Sequence, residues 1–126
     1  MSAVELVIEV PKEWWMNANH RPHWRVRHAR TKWLRQLAAT LARQAGLPKG
    51  LATPVRVEAW VTYPRGGTND PNNAAPTTKA LIDGLTDYGC WPDDDQVGVI
   101  GPDHRYGGVT PGRRTVRLVI TPGGTP

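Results

Sequence analysis

Residues 55–63 read Val-Arg-Val-Glu-Ala-Trp-Val-Thr-Tyr, residues 64–75 read Pro-Arg-Gly-Gly-Thr-Asn-Asp-Pro-Asn-Asn-Ala-Ala, and residues 76–88 read Pro-Thr-Thr-Lys-Ala-Leu-Ile-Asp-Gly-Leu-Thr-Asp-Tyr. In the first run Val55, Val57, Ala59, Val61 and Tyr63 alternate with Arg56, Glu58, Trp60 and Thr62, the period of a strand with one buried face. In the last run Leu81, Leu85 and Tyr88 stack on one side and Ile82 widens the stripe. Lys79, Asp83, Thr86 and Asp87 fall opposite, so the run reads as an amphipathic helix. Pro76 suits a first helical position, and the helix ends before Gly89. The middle run is too dense in turn residues for either element and reads as a loop.

Outward from this unit, the rest of the chain takes shape. Val4, Leu6, Ile8 and Val10 alternate against Glu5 and Glu9, which predicts a strand over residues 4–10. Residues 11–26 have no period and read as a loop carrying Trp14, Trp15, His20, Arg21, His23, Trp24 and Arg25. Residues 27–45 turn helical, with Leu34, Leu37, Ala38, Leu41 and Ala45 on one face and Lys32, Arg35, Gln36 and Arg43 on the other. Gly46 is a natural stop. Beyond the second helix, residues 91–96 read as an acidic turn, 97–100 as a short strand and 101–108 as a turn. Residues 114–121 read as a last strand, and 122–126 as a frayed tail. No internal repeat interrupts this order. It predicts one small α/β (α+β) domain over residues 1–121, with two helices on one face of a mixed sheet in β-α-β-α-β-β order.

The length, 126 residues, fits one modest core. The single cysteine, Cys90, excludes a disulfide framework and a Cys-rich zinc site, and reads as a small buried hydrophobe. No apolar run approaches the ~20 residues of a membrane span, and the N-terminus lacks the layout of a signal peptide. The expectation is an intracellular, cytoplasmic protein. Charge is unevenly spread over a formal net of +5. From Trp14 to Val57 there is no acid but nine Arg and Lys, whereas from Asp70 to Asp103 there are seven Asp. The first region suits polyanions and the second suits cations.

Asp93-Asp94-Asp95 follow the second predicted helix and Asp70 precedes it. Clustered carboxylates repel one another unless a cation lies between them, and hard oxygen ligands suit Mg²⁺, with Mn²⁺ as a substitute. An acidic cluster in a basic chain fits metal-assisted phosphodiester hydrolysis. The intervening helix is about 20 Å long at ~1.5 Å per residue, so the two loops meet only if each runs back along the sheet edge. Asp83, midway on the polar face, can bridge that gap. Lys79, one turn earlier, can orient a carboxylate or hold the scissile phosphate. Plain alternatives stay open: a solvated Asp turn, and an i,i+4 pair between Lys79 and Asp83. A calcium loop is excluded, because the Gly at position six and the Glu at position twelve are missing.

Asp70-Pro-Asn-Asn73, then Lys79-Ala-Leu-Ile-Asp83-Gly-Leu85, then Gly89, then Asp93-Asp94-Asp95-Gln96-Val97 together resemble the RusA family of Holliday junction resolvases. That family shows Asp-x-Asp-Asn, Lys-x-x-x-Asp-x-Leu, Gly and Asp-Asp-x-Gln-Val in the same order. The resemblance implies an α/β homodimer whose two active sites nick opposed strands of a four-way DNA junction. It implies that Asp70 and Asp94 bind Mg²⁺, that Lys79 is a basic residue needed for cleavage, and that Asp83 is the family's helix Asp. Two departures stand out. Asn72 replaces the second loop acid, removing one negative charge that Asp83 or Asp93 can make up. Ala74, Ala75 and Pro76 form an apparent insertion, similar to a branch of the family with Asp-Pro-x-Asn followed by Pro-Thr-x-Lys. Junctions and other branched DNA both remain open as substrates.

Arg21, Arg25, Arg27, Arg30, Lys32 and Arg35 lie close together, interleaved with Trp24 and Trp33. This stretch reads as a phosphate-binding surface, with His23 as a further contact. An exposed Trp14, Trp15 or Trp24 can stack on an unpaired base. His20, His23 and His28 have no fourth ligand nearby and sit among arginines, which argues against zinc. The competing class is a non-catalytic branched-DNA-binding module whose metal site is weakened by Asn72.

Overall fold

The structure, a computed structural model, describes residues 3–92 and 98–123. Four strands, β1 (Val4–Glu9), β2 (Val55–Tyr63), β3 (Val99–Val109) and β4 (Thr115–Thr121), form one sheet in the order β1-β4-β2-β3. β2 and β3 are parallel, and β4 runs antiparallel to both β1 and β2. The two helices are α1 (Trp24–Ala45) and α2 (Ala75–Tyr88), with short 3₁₀ turns at Lys12–Trp14 and Pro71–Ala74. This is the mixed sheet with two helices that the alternation patterns imply. Among the described residues no helix is long and apolar enough to cross a membrane.

Strand alternation decides which face is buried. Leu6 and Ile8 of β1, Val55, Val57 and Ala59 of β2, and Val116, Leu118 and Ile120 of β4 all point inward. They form one core with Leu34, Ala38 and Ala42 of α1 and Leu81, Ile82 and Leu85 of α2. Both helices therefore cover the same face. The alternate residues form the open face, where Arg117 pairs with Glu5 and Arg105 with Glu58.

α2 is buried on nearly every side except the one bearing Lys79, Asp83 and Asp87, because α1 covers it from above and the sheet from below. The helices cross where Gly84 meets α1. A Cβ there would overlap the Arg35 carbonyl oxygen and stand 2.8 Å from the Ala38 Cβ. Beside the crossing, the Arg35 guanidinium grips the Asp87 carboxylate through two hydrogen bonds of 2.9 and 2.7 Å. α2 stops at Gly89, whose φ of 100° is the left-handed value that favours glycine. Cys90 follows, buried, with burial pushing its thiol pKa up to about 11.

Four local expectations change. α1 begins three residues before Arg27, because the His23 side chain accepts the Arg25 N–H at 3.1 Å and caps the helix. The deepest stripe of α1 is Leu34, Ala38 and Ala42, with Leu37 and Leu41 half-buried and Ala45 exposed. The small residues on that line let the two backbones approach. Residues 101–108, read as a turn, belong to the long edge strand β3. The C-terminal segment stays anchored through residue 123, with Pro122 buried and the Gly123 N–H on the Ala52 carbonyl at 2.8 Å.

Candidate functional site

Asp70 lies just beyond the end of β2. Its backbone is extended, and its Oδ1 accepts the Asn72 N–H at 3.0 Å, capping the Pro71–Ala74 turn with Pro71 in the first position. The Tyr63 hydroxyl donates to the Asp70 carbonyl at 3.3 Å. Burial and then the Asp70 charge raise the Tyr63 pKa, so this phenol stays protonated and remains a donor. The side chains of Asp70 and Asn72 are exposed and stand two residues apart on one tight turn. Both offer hard oxygens.

Beside this turn a groove of about 370 Å³ runs between α2 and β3, lined by Thr78, Lys79, Asp83 and His104 among others. Lys79 and Asp83 form the i,i+4 pair, 3.5 Å apart, with the lysine side chain 78% exposed. Such a pair contributes little to stability, which leaves the ammonium available to an anion. The His104 Nε2 lies 2.8 Å from the Thr78 hydroxyl, which also donates to the Ala75 carbonyl at 3.2 Å. A hydroxyl has one proton, so with that proton on Ala75 the imidazole Nε2–H is the donor to Thr78.

Burial lowers the His104 pKa below its ordinary 6.5, against the opposing pull of Asp103 and Asp70. Protonation is therefore harder in the folded chain than in the unfolded one. The associated stability is fully present above pH 6.5 and is lost as pH falls through the folded-state value. Urea denaturation at a series of pH values is expected to show stability declining on acidification from 6.5, with His104→Gln removing part of that slope.

The basic segment packs directly against the acidic turn. The Ala18 N–H donates to the Asn73 carbonyl at 2.8 Å, and Arg27, Arg30 and Pro76 share the lining of one small hollow. The anchor is Thr77, fully buried, whose hydroxyl accepts the Met16 N–H and donates to the Met16 carbonyl, each at 2.8 Å. Thr77→Val keeps the shape but strands both Met16 groups. The expected loss is about 2–4 kcal/mol, measured by chemical denaturation, since each unpaired buried polar group costs ~1–3 kcal/mol.

Of the sequence-predicted phosphate contacts, Arg21, His23, Arg25, Arg27 and Lys32 are exposed and Arg30 is half-buried. Arg35 differs from these, since its guanidinium is engaged by Asp87 at the helix crossing. Trp14 and Trp15 are half-buried, and Trp24 is 66% exposed.

Asp93, Asp94 and Asp95 lie outside the described residues. The residues bracketing them are anchored at the far end of α2 from Asp70. The Cys90 carbonyl accepts the Leu51 N–H at 2.7 Å, and the Gly98 carbonyl accepts the N–H of Val55, the first residue of β2, at 2.9 Å. Asp70 stands by Tyr63, the last residue of β2, roughly 26 Å away along the strand at ~3.3 Å per residue. Among the described residues no three His, Cys, Asp or Glu side chains gather where they could hold one metal ion.

His104, Thr78 and Tyr63 are site residues that the sequence alone does not reveal. A full-length third strand would have put His104 opposite the inward-facing Ala59, its actual partner, and so flagged it. Compared with models of known families the chain matches none, and no curated protein matches it. The likeness to RusA resolvases therefore rests on the motif residues themselves.

Proposed function

We propose that the chain is a RusA-like, Mg²⁺-dependent endodeoxyribonuclease that cuts Holliday junctions or other branched DNA as a homodimer. The observation that carries this reading is the seam between two opposite surfaces. An arginine-rich segment suited to phosphates is fastened, through Ala18–Asn73 and Met16–Thr77, to a turn that presents Asp70 and Asn72. A backbone held by the arginines is thereby delivered to the carboxylate turn and the Lys79 groove.

Asp70, with Asn72 beside it, suits one side of a hard-cation site, and Asp94 supplies the other side in this reading, with Asp83 or Asp93 as further candidates. Bound there, Mg²⁺ provides Lewis-acid charge and an activated water at a phosphodiester. Lys79 meets the phosphate oxygens with positive charge. Thr78 and His104 fix the wall of the groove, and the Tyr63 hydrogen bond holds the turn. Cys90 and Gly98, which flank the triple Asp in sequence, are anchored at the end of α2 away from Asp70. For that reason Asp70 of one copy is completed in this reading by the acidic stretch of a second copy.

The decisive assay is cleavage of a synthetic four-way junction with Mg²⁺ by wild type and by Asp94→Asn. Paired symmetric nicks that vanish in the variant support the nuclease. Tight binding by both proteins with no product under Mg²⁺ or Mn²⁺ overturns it in favour of a non-catalytic branched-DNA-binding module. The charge deficit at Asn72 is the observation that favours that second reading. Binding should weaken steeply with added salt in either case.

A further inference from the structure

Trp24 differs from every other tryptophan in the chain. Trp14 is stacked on Trp33 with centroids 4.6 Å apart, and Trp15 meets the edge of Tyr63 at 6.4 Å. Trp91 is buried, with its indole N–H on the Thr86 hydroxyl at 2.8 Å. Trp60 lies beneath the guanidinium groups of Arg105 and Arg117. Trp24 alone is left 66% exposed, as the first residue of α1. It is the most exposed large apolar side chain among the described residues.

Its surroundings specify a partner. Arg25 lies 5.3 Å from the ring centroid, and the His23 ring is tilted beside it at 5.7 Å. Arg21 and Arg27 flank it on the same segment, the one fastened to the 70–73 turn. An exposed aromatic ring with a guanidinium over it, on a segment rich in arginine, matches the two parts of a single-stranded nucleotide, a flat base and a charged backbone. A lipid surface asks instead for a continuous apolar stripe. Here the exposed large apolar residues of α1 are Trp24 and Val26 alone.

We propose that Trp24 is a stacking platform for an unpaired nucleobase, held beside the strand whose phosphates the neighbouring arginines bind. This rests on the DNA-processing reading above and adds what that reading lacks, a way to tell opened strand from intact duplex. Arginine contacts alone grip both. An indole face engages only a base that has left its stack.

The test uses the intact protein in EDTA, so that cleavage plays no part. Fluorescein-labelled oligo-dT and a duplex of the same length are titrated with wild type, Trp24→Ala and Trp24→Tyr, after thermal melts establish that all three are folded. Trp24→Ala is expected to weaken oligo-dT binding about tenfold while changing duplex binding less than about threefold, and Trp24→Tyr to restore it. Equal losses on both DNAs, or no loss on either, would overturn the proposal and leave the DNA reading standing. Binding of wild type to phosphatidylserine vesicles, lost in Trp24→Ala with oligo-dT affinity unchanged, would assign the ring to a membrane surface instead. Failure of wild type to bind either DNA would overturn both readings.

Discussion

An equimolar mixture of Asp70→Asn and Asp94→Asn proteins is expected to nick a four-way junction when neither variant does so alone. Each substitution should cost at least about 100-fold in Mg²⁺-dependent cleavage, as much as the loss of a supporting partner costs other metal sites. The recovery follows from geometry. If each site takes Asp70 from one copy and Asp94 from the other, a mixed dimer concentrates both lesions in one site and leaves the second intact. Random re-pairing makes half the dimers mixed, so roughly a quarter of wild-type nicking returns. The product is a single-strand nick rather than a symmetric pair. If each site is built within one copy, every site in the mixture carries a lesion and no activity returns. That result would confine the metal to one protomer and remove the reason for an obligate pair.

Gly84→Val is expected to prevent folding at ordinary temperature. Ordinarily, replacing a mid-helix glycine gains up to about 1 kcal/mol of helix propensity. Here the new Cβ would run into the carbonyl oxygen of Arg35 and crowd the Ala38 Cβ at 2.8 Å. Backbone cannot rotate away as a side chain can, so α1 and α2 must separate. The buried line of Leu34, Ala38 and Ala42 then loses its contact with α2, and the paired hydrogen bonds between Arg35 and Asp87 lose their geometry. A loss of more than about 4 kcal/mol, typical of severe overpacking, would consume most of a small domain's stability. Gly66→Ala is the control. Nothing lies within 4 Å of that site, and its stability by circular dichroism melts should barely change.

Much of this architecture is legible in the chain because patterns and packing agree. In β2, all five inward positions are buried, as strict alternation requires. α2 announces itself through Pro76, its apolar stripe and Gly89. β3 is hidden by its own composition. Gly101, Pro102 and Gly107 look like turn residues, yet they fill the two register shifts where β3 bulges against β2. β3 is an edge strand, where a missing N–H is tolerated, and at the bulges a Cβ would press on the Val57 and Val61 carbonyls, at 2.6 and 3.1 Å. Losing β3 hides His104 and with it one wall of the groove. The early start of α1 escapes notice for another reason, since histidine is an unusual cap. The acidic turn and the arginine segment are each readable alone. Their attachment depends on Thr77, an unremarkable residue in a helix of apolar neighbours, and no local pattern reveals a contact 61 positions apart.

Cys90 leaves the chain ready for site-specific labelling. It is the sole thiol in the chain, it is shut in the interior, and it holds its proton to about pH 11. Maleimide chemistry at neutral pH should pass it by. A cysteine introduced at an exposed position would then be the one attachment point for a dye or spin label. Distances between two such labels, one on each molecule of a pair, can be measured without first stripping the native sequence of sulfur.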